Sequence, residues 1–200
     1  MLLNREKTMQ KNPFEQFENW YQIAKKDDPE ICDVMALATA DKNAAPSVRM
    51  VLYKGLNKDG FLIYTNYESR KAKEIEENPR AALAFYWHKS YRQVRVEGRV
   101  EKISYEDSNK YFQSRPRDSQ LSAAASPQSR VIMQREEIEI QREKLAKQFE
   151  SAVIPCPEYW GGYCLIPSVF EFWQGRESRF HDRFHYIKKN NEWLIECLAP

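Results

Sequence analysis

The sequence predicts a mainly β protein, an antiparallel barrel with flanking helices. Seven or eight short apolar runs are separated by turn residues, and the run at 91–103 alternates apolar and polar side chains. The strand–helix–strand rhythm of a parallel sheet is missing. Two hundred residues suit one domain with a sizeable core. We therefore expect a flexible arm over residues 1–11 and a single domain over residues 12–200.

The first elements follow in chain order. Asn12 as N-cap and Pro13 at the first helical position predict a helix whose apolar residues, from Phe14 to Ala24, recur at helical spacing. Apolar runs then predict five strands, namely VMALATA (34–40), SVRMVLY (47–53), FLIYT (61–65), AALAFYW (81–87) and YRQVRVEGRVEKI (91–103).

The rest of the chain is predicted as a helical segment followed by closing strands. The pattern from Tyr105 to Glu150 is mostly helical, with an interruption at RPRDSQLSAAASPQS and a solvated amphipathic helix at its end. Three or four closing strands are predicted at YWGGYCLI, SVFEFWQ, RFHYIKK and EWLIECLA.

Composition restricts the classes of function. The formal net charge of +2 gives no overall preference for nucleic acid or an anionic membrane. The polar start has no apolar signal segment and no membrane-spanning run follows, so we expect a cytoplasmic protein. The cysteine spacings match neither a zinc motif nor a CxxC pair, which favours reduced thiols.

The stretch FEFWQGRESRFHDR (170–183) concentrates positive charge after an aromatic strand. If its second half is extended, Arg179, His181 and Arg183 share one face. Such cations repel one another unless an anion or an electron-rich ring lies among them. The alternative is a solvated edge strand with salt bridges to Glu171 or Asp182. Because the HDxxH pattern lacks a further placed ligand, we predict no metal site.

A second basic cluster is KYFQSRPRDSQ (110–120). Arginine binds two phosphate oxygens at once, and hydroxyl groups fill the remaining lone pairs. The cluster therefore indicates a phosphate site, with an exposed polar loop as the alternative. Its donors are Tyr111, Arg115, Arg117 and Ser119.

A third cluster lies in YTNYESRKAKEIEENP (64–79), where a strand runs into a helix. The N-cap is either Thr65 or Ser69, which places Arg70 and Lys71 in the first helical turn. Cations there oppose the helix dipole unless an anion binds the free N–H groups. The cluster therefore indicates a second phosphate site.

The sequence also resembles a known family, the FMN-dependent pyridoxine (pyridoxamine) 5'-phosphate oxidases. The resemblance runs from about Val34 to Pro200, and the EFWQG and RxHDR motifs are its most specific part. The matching stretches are RMVLYK, YTNYESRKAKEIEENPR, RQVRVEGRVE, YFQSRPRDSQ, SPQSR, YWGGY, FEFWQGRESRFHDRF and the terminal LAP.

The resemblance implies an FMN-binding split β-barrel of antiparallel, Greek-key type and a homodimer with FMN sites at the subunit interface. It implies that FMN is held by Arg49, Met50, Val51, Leu52, Tyr53, Lys54, Tyr64, Thr65, Arg70, Lys71, Gln93, Gln128, Ser129, Trp173 and Arg183. It implies that the substrate is held by Lys54, Tyr111, Arg115 and Ser119 at its phosphate and by Arg179 and His181, the catalytic pair, at its ring.

The implied reaction transfers a hydride equivalent from pyridoxine or pyridoxamine 5'-phosphate to the flavin, which O2 reoxidises with release of H2O2. The product is pyridoxal 5'-phosphate, with NH3 released from the amine. One position departs from the family pattern, since Cys197 stands where an arginine commonly precedes the terminal Leu-Ala-Pro. The alternatives are a flavin oxidase of the same fold with another aromatic substrate, or a flavin-binding or nucleic-acid-binding module without activity.

Overall fold

The computed structural model describes residues 9–200. The helices are α1 (Pro13–Asp27), α2 (Arg70–Glu77), α3 (Tyr105–Ser114), α4 (Arg117–Ala125) and α5 (Glu136–Gln148). The strands are β1 (Val34–Ala40), β2 (Pro46–Leu52), β3 (Phe61–Asn66), β4 (Arg80–Trp87), β5 (Arg92–Lys102), β6 (Trp160–Gln174), β7 (Asp182–Lys189) and β8 (Glu192–Cys197).

The strands form one antiparallel sheet in the order β2-β1-β4-β5-β6-β7-β8, with β3 added to β6. The curled sheet is not closed, because β2 and β3 make no ladder with each other. The predicted mainly antiparallel fold class is confirmed.

Helix α1 begins as predicted and supplies aromatic side chains to the main core. The Asn12 Oδ1 atom accepts a hydrogen bond from the N–H of Phe14 at 2.9 Å. The fully buried ring of Phe17 lies 4.8 Å from the ring of Phe61 and 5.0 Å from that of Phe85, centroid to centroid. Since these rings meet edge to face, the helix is held against the sheet by aromatic packing.

Strand β6 corrects the prediction that YWGGYCLI and SVFEFWQ are separate strands. A single strand runs through Pro167, which lies opposite Gly98 of β5. Proline has no N–H to donate to a ladder, and the register of β5 against β6 shifts between Glu97 and Gly98. The bulge therefore accommodates the proline, and β6 continues.

Helix α4 corrects a second prediction, because it occupies most of the segment that was expected to interrupt the helical region. Leu121 and Ala125 of this helix are buried, and Leu121 lies in a second core with Phe112 and Trp160. The segment has too few large apolar residues for a helical period, so its pattern in the sequence is weak.

The predicted arm lies partly outside the described residues, which exclude 1–8. Within the described part, Met9 packs against the main core and the carbonyl of Gln10 accepts a hydrogen bond from the Tyr186 hydroxyl at 2.8 Å. Among residues 9–200, none of the helices has the length and apolar character needed to cross a membrane.

Candidate functional site

A cavity of about 630 Å³, here called the main cavity, opens beside β2, β3, α2 and the α3–α4 region. This volume lies within the range of small-molecule sites, about 300–1,000 Å³. Its walls include twelve of the predicted site residues, namely Arg49, Met50, Val51, Leu52, Lys54, Tyr64, Thr65, Lys71, Tyr111, Arg115, Ser119 and Gln128. The structure thus brings together nine of the fifteen predicted cofactor residues and the four predicted substrate phosphate residues, Lys54 being in both sets.

The start of α2 positions Lys71 in the main cavity. Ser69, rather than Thr65, caps the helix, and its side chain accepts from the N–H of Ala72 at 3.4 Å. The Lys71 Nζ atom donates to Thr65 Oγ1 at 3.1 Å and to Gln128 Oε1 at 2.9 Å. Burial, and next the charge of Arg49, lower the pKa of Lys71 to about 8. The neutral partners leave this ammonium group suited to an anion.

Arg49 is held at the edge of the main cavity by Glu74, a residue that the sequence did not single out. The Arg49 Nη2 atom lies 3.1 Å from Glu74 Oε2, and Nη1 donates to the carbonyl of Leu37 at 3.1 Å. Burial raises the pKa of Glu74, but hydrogen bonds from Ser47, Thr39, Arg70 and Arg49 outweigh it and lower that pKa to about 2. In the sequence, Glu74 is one acid within the charged run KAKEIEE and carries no distinct signal.

Arg115 lies in the main cavity with unused hydrogen-bonding capacity. Its guanidinium carbon is 4.8 Å from the Trp160 ring centroid, and its Nη1 atom is buried without a hydrogen-bond partner among the described residues. Burial lowers the pKa of Arg115. Because a buried, unsatisfied donor costs about 1–3 kcal/mol, this arginine is suited to binding an anionic group. Tyr64 and Tyr111 stack beside it, with ring centroids 3.8 Å apart.

A second group of predicted residues lies on the outer face of β5, β6 and β7, away from the main core. Gln93 is directly opposite Trp173, and Trp173 is directly opposite Arg183. The Arg183 side chain bonds to Glu171, at 2.9 Å from Nε to Oε1. The ion pair with Glu171 expected in the alternative is therefore present, but β7 is not an edge strand, because it pairs with both β6 and β8. None of these residues lines the main cavity of the same chain.

The expectation of an extended backbone from Arg179 to Arg183 is wrong at its start. Residues 177–179 form a 3₁₀ turn, Ser178 and Arg179 have φ values of 55° and 62°, and β7 begins at Asp182. The His181 Nδ1 atom accepts from the N–H of Arg176 at 3.1 Å, and its ring lies 4.6 Å from that of Trp173. His181 and Arg183 line a separate cavity of about 440 Å³, here called the C-terminal cavity, together with Cys197.

Besides Gln93, Trp173 and Arg183, three further predicted cofactor residues are not in the wall of the main cavity. The ring of Tyr53 is buried in the core and meets that of Phe17 edge to face, so its side chain faces the interior. Arg70 is mostly exposed and pairs with Glu74 at 2.8 Å. Ser129 is exposed, at a φ of 69°.

Metal-binding groups are not clustered in the described part of the chain. No set of three or more His, Cys, Asp or Glu residues within 9–200 has the arrangement of a metal site. The two histidines of the HDxxH pattern contact different groups. The His181 Nδ1 atom accepts from the backbone N–H of Arg176, and the His185 Nδ1 atom lies 3.9 Å from Glu196 Oε2.

Two family models match the chain. Residues 25–149 match "Pyridoxamine 5'-phosphate oxidase", and residues 160–200 match "Pyridoxine 5'-phosphate oxidase C-terminal dimerisation region". A pyridoxine/pyridoxamine 5'-phosphate oxidase of Coxiella burnetii is 52% identical over 189 residues, which are 94% of this chain and 96% of the relative. The oxidase of Pseudomonas putida is 48% identical over 94% of this chain and 88% of the relative.

Solved structures share the fold. PhzG from Burkholderia lata, in complex with tetrahydrophenazine-1-carboxylic acid, superposes with a TM-score of 0.92 at 25% identity, over 97% of this chain and 95% of that chain. A pyridoxamine 5'-phosphate oxidase-related, FMN binding protein from Nostoc punctiforme has a TM-score of 0.76 at 19% identity, over 96% of this chain and all of that chain.

Proposed function

The chain belongs to the pyridoxamine 5'-phosphate oxidase family, and we propose that it oxidises pyridoxine and pyridoxamine 5'-phosphates to pyridoxal 5'-phosphate. FMN is the proposed cofactor and O2 the acceptor, with release of H2O2, and of NH3 from the amine. The proposed role is vitamin B6 biosynthesis and salvage. The single observation that carries the proposal is the main cavity, in which Lys71 and Arg115 offer two separate groups of phosphate donors.

The residues present fit FMN at the α2 end of the main cavity. Lys71 is a buried ammonium group with neutral partners, and Arg49 lies close enough to lower its pKa. A phosphate placed between them would relieve this repulsion. The exposed side chains of Met50 and Leu52 on β2 offer apolar contact for an isoalloxazine ring. When bound, FMN supplies the redox chemistry.

The substrate phosphate is assigned to the other group of donors. Arg115 has a free buried Nη1 atom, and Lys54, Tyr111 and Ser119 line the same cavity. These side chains orient the substrate and fix the distance of its ring from the cofactor. Arg179 and His181 are assigned to the opposite side of the substrate ring, where Arg179 contributes charge and His181 a hydrogen bond.

We assign the two groups of residues to one site built from two chains. In one chain, Arg183 and His181 line the C-terminal cavity and Lys71 the main cavity. The edge strand β2 carries exposed Val48, Met50 and Leu52, and an apolar edge strand favours contact with another chain. A homodimer in which one chain covers the main cavity of the other would unite both groups.

A second candidate is a flavin oxidase with an unphosphorylated aromatic substrate. The fold neighbour PhzG carries such a ligand, tetrahydrophenazine-1-carboxylic acid, in its structure. The unpaired donor of Arg115 suits either anion, a phosphate or a carboxylate. The phosphate ester is favoured because Lys54, Tyr111 and Ser119 line the same cavity and add donors for its further oxygen atoms.

The proposal is tested by O2 consumption of the FMN-loaded protein with pyridoxine 5'-phosphate, while aldehyde formation is followed in the same sample. Unphosphorylated pyridoxine is the control. Coupled O2 uptake and aldehyde formation with the phosphorylated compound alone is the expected result. Equal rates with both compounds would contradict the phosphate assignment, and no turnover with either would contradict the oxidase.

A further inference from the structure

Glu171 on β6 binds the guanidinium group of Arg183 through both of its carboxylate oxygens. Oε1 accepts from Nε at 2.9 Å and Oε2 accepts from Nη2 at 3.1 Å. The side chain of Glu171 is only 8% exposed, so both bonds are shielded from water. A two-point contact between planar groups fixes the orientation of the arginine as well as its position.

This pairing is not the one that the strand register alone would give. The residue directly opposite Glu171 on β7 is His185, and Arg183 is its diagonal neighbour on the same outer face. The remaining Arg183 nitrogen, Nη1, donates to the carbonyl of Ala199 at 2.9 Å. Arg183 is therefore held at all three of its nitrogen atoms, beside Trp173.

A second arginine shares the same carboxylate. The Arg95 Nη1 atom lies 3.2 Å from Glu171 Oε2, and its Nη2 atom lies 2.7 Å from Glu97. Glu171 thus lies between two guanidinium groups and offsets their repulsion. Without its charge, Arg183 would lose its two-point partner while Arg95 would keep Glu97.

We propose that Glu171 is a positioning residue of the flavin site, which holds Arg183 in the orientation that binds FMN. The inference rests on the proposed function, and it adds a residue that does not itself touch the cofactor. Glu171 acts on FMN through Arg183, so its effect on FMN release must disappear when Arg183 is absent.

The test measures the rate at which FMN leaves the loaded protein on dilution, followed by flavin fluorescence. E171Q keeps the size of the side chain but presents one acceptor and one donor to the guanidinium. We expect release about tenfold faster, the size typical when a group that orients a ligand-binding side chain is lost. E97Q is the matched control, since Glu97 bonds to Arg95, and its release rate should equal that of wild type.

A double-mutant cycle separates positioning from general loosening of the fold. R183Q should speed release, and E171Q combined with R183Q should release FMN no faster than R183Q alone. Additive effects of the two changes, or equal release from E171Q and wild type, would overturn the inference while leaving the proposed function intact. Wild-type protein that does not retain FMN would overturn the proposed function and this inference with it.

Discussion

Arg115 and Arg117 are two residues apart in the chain, and their guanidinium groups serve different parts of the structure. Arg115 lies over the Trp160 ring in the main cavity. Arg117 donates to the backbone carbonyls of Phe149 and Ala152, just after α5, and does not line the cavity. The prediction that both donors serve a phosphate is therefore wrong for Arg117.

The pair gives a matched test of the substrate phosphate site. We expect Arg115→Ala to raise the KM for pyridoxine 5'-phosphate about 10- to 100-fold, since a charged hydrogen bond contributes about 1.5–3 kcal/mol. FMN retention should stay unchanged. Arg117→Ala should leave KM unchanged and lower the free energy of unfolding by about 1 kcal/mol. Steady-state kinetics and urea unfolding measure both quantities, and an equal rise of KM in both variants would contradict the assignment.

The strand pattern and the first helix could be predicted because period-two and period-3.6 repeats record burial directly. Helix α4 and the continuity of β6 through Pro167 could not be predicted from the sequence. A Ser- and Ala-rich segment lacks such a period, and the bulge opposite Pro167 depends on a partner strand about seventy residues earlier.

Only the site residues that lie in recognisable sequence motifs could be predicted. The sequence predicts the cations of the main cavity but not Glu74. A glutamate within a charged run gives no indication in the sequence of whether its side chain is buried or exposed. Glu171 was named only as one possible salt-bridge partner. The pairing of a specific acid with Arg49 or Arg183 is a tertiary property, since Glu74 is 25 positions from Arg49.

The lowered pKa of Lys71 predicts that the affinity for FMN depends on pH. The pKa of Lys71 is about 8 in the free protein, and a bound phosphate dianion would raise it. A base whose pKa rises on binding contributes affinity fully below its free pKa and loses it as pH rises through the pKa of the complex. We therefore expect the Kd for FMN to increase above pH 8. Titrations between pH 6.5 and 10, with riboflavin as a phosphate-free control, test this, and a pH-independent Kd would contradict it.

Arg179 is predicted to act on the substrate and not on cofactor retention. Its side chain is exposed at the end of a 3₁₀ turn, and it does not line the main cavity of its own chain. We expect the Arg179→Ala variant to retain FMN, seen as the yellow flavin absorbance, and to lose most of its turnover. Lys71→Ala should instead lose FMN on gel filtration. Full activity in the Arg179 variant would remove the role assigned to it.

The lowered pKa of Glu74 predicts that the free energy of unfolding falls at acid pH. Its pKa is lowered from 4.5 to about 2. A lowered carboxyl pKa contributes stability that is present above pH 4.5 and is lost as pH falls toward 2. The loss is on the order of 3 kcal/mol across this window. Glu74→Gln should flatten the curve of unfolding free energy against pH there, and Glu76→Gln, a neighbour on the exposed face of α2, should not. Parallel curves for wild type and Glu74→Gln would contradict the assignment.

If the site is shared between two chains, mixed dimers of inactive variants should regain activity in a pattern that a site within one chain cannot produce. Lys71→Ala disables the main-cavity side and Arg183→Ala the outer-face side. In a heterodimer of the two variants, one site receives both changed residues. The other site receives the intact Lys71 of the Arg183→Ala chain and the intact Arg183 of the Lys71→Ala chain.

We therefore expect the heterodimer, purified through two different affinity tags, to regain about half of wild-type turnover, whereas either homodimer stays inactive. A wild-type chain paired with a chain carrying both changes is the control. In that pair each site contains one of the two changes, so turnover should be lost. If Lys71 and Arg183 served the same site within one chain, the outcomes would be reversed, with activity in the control pair and none in the first.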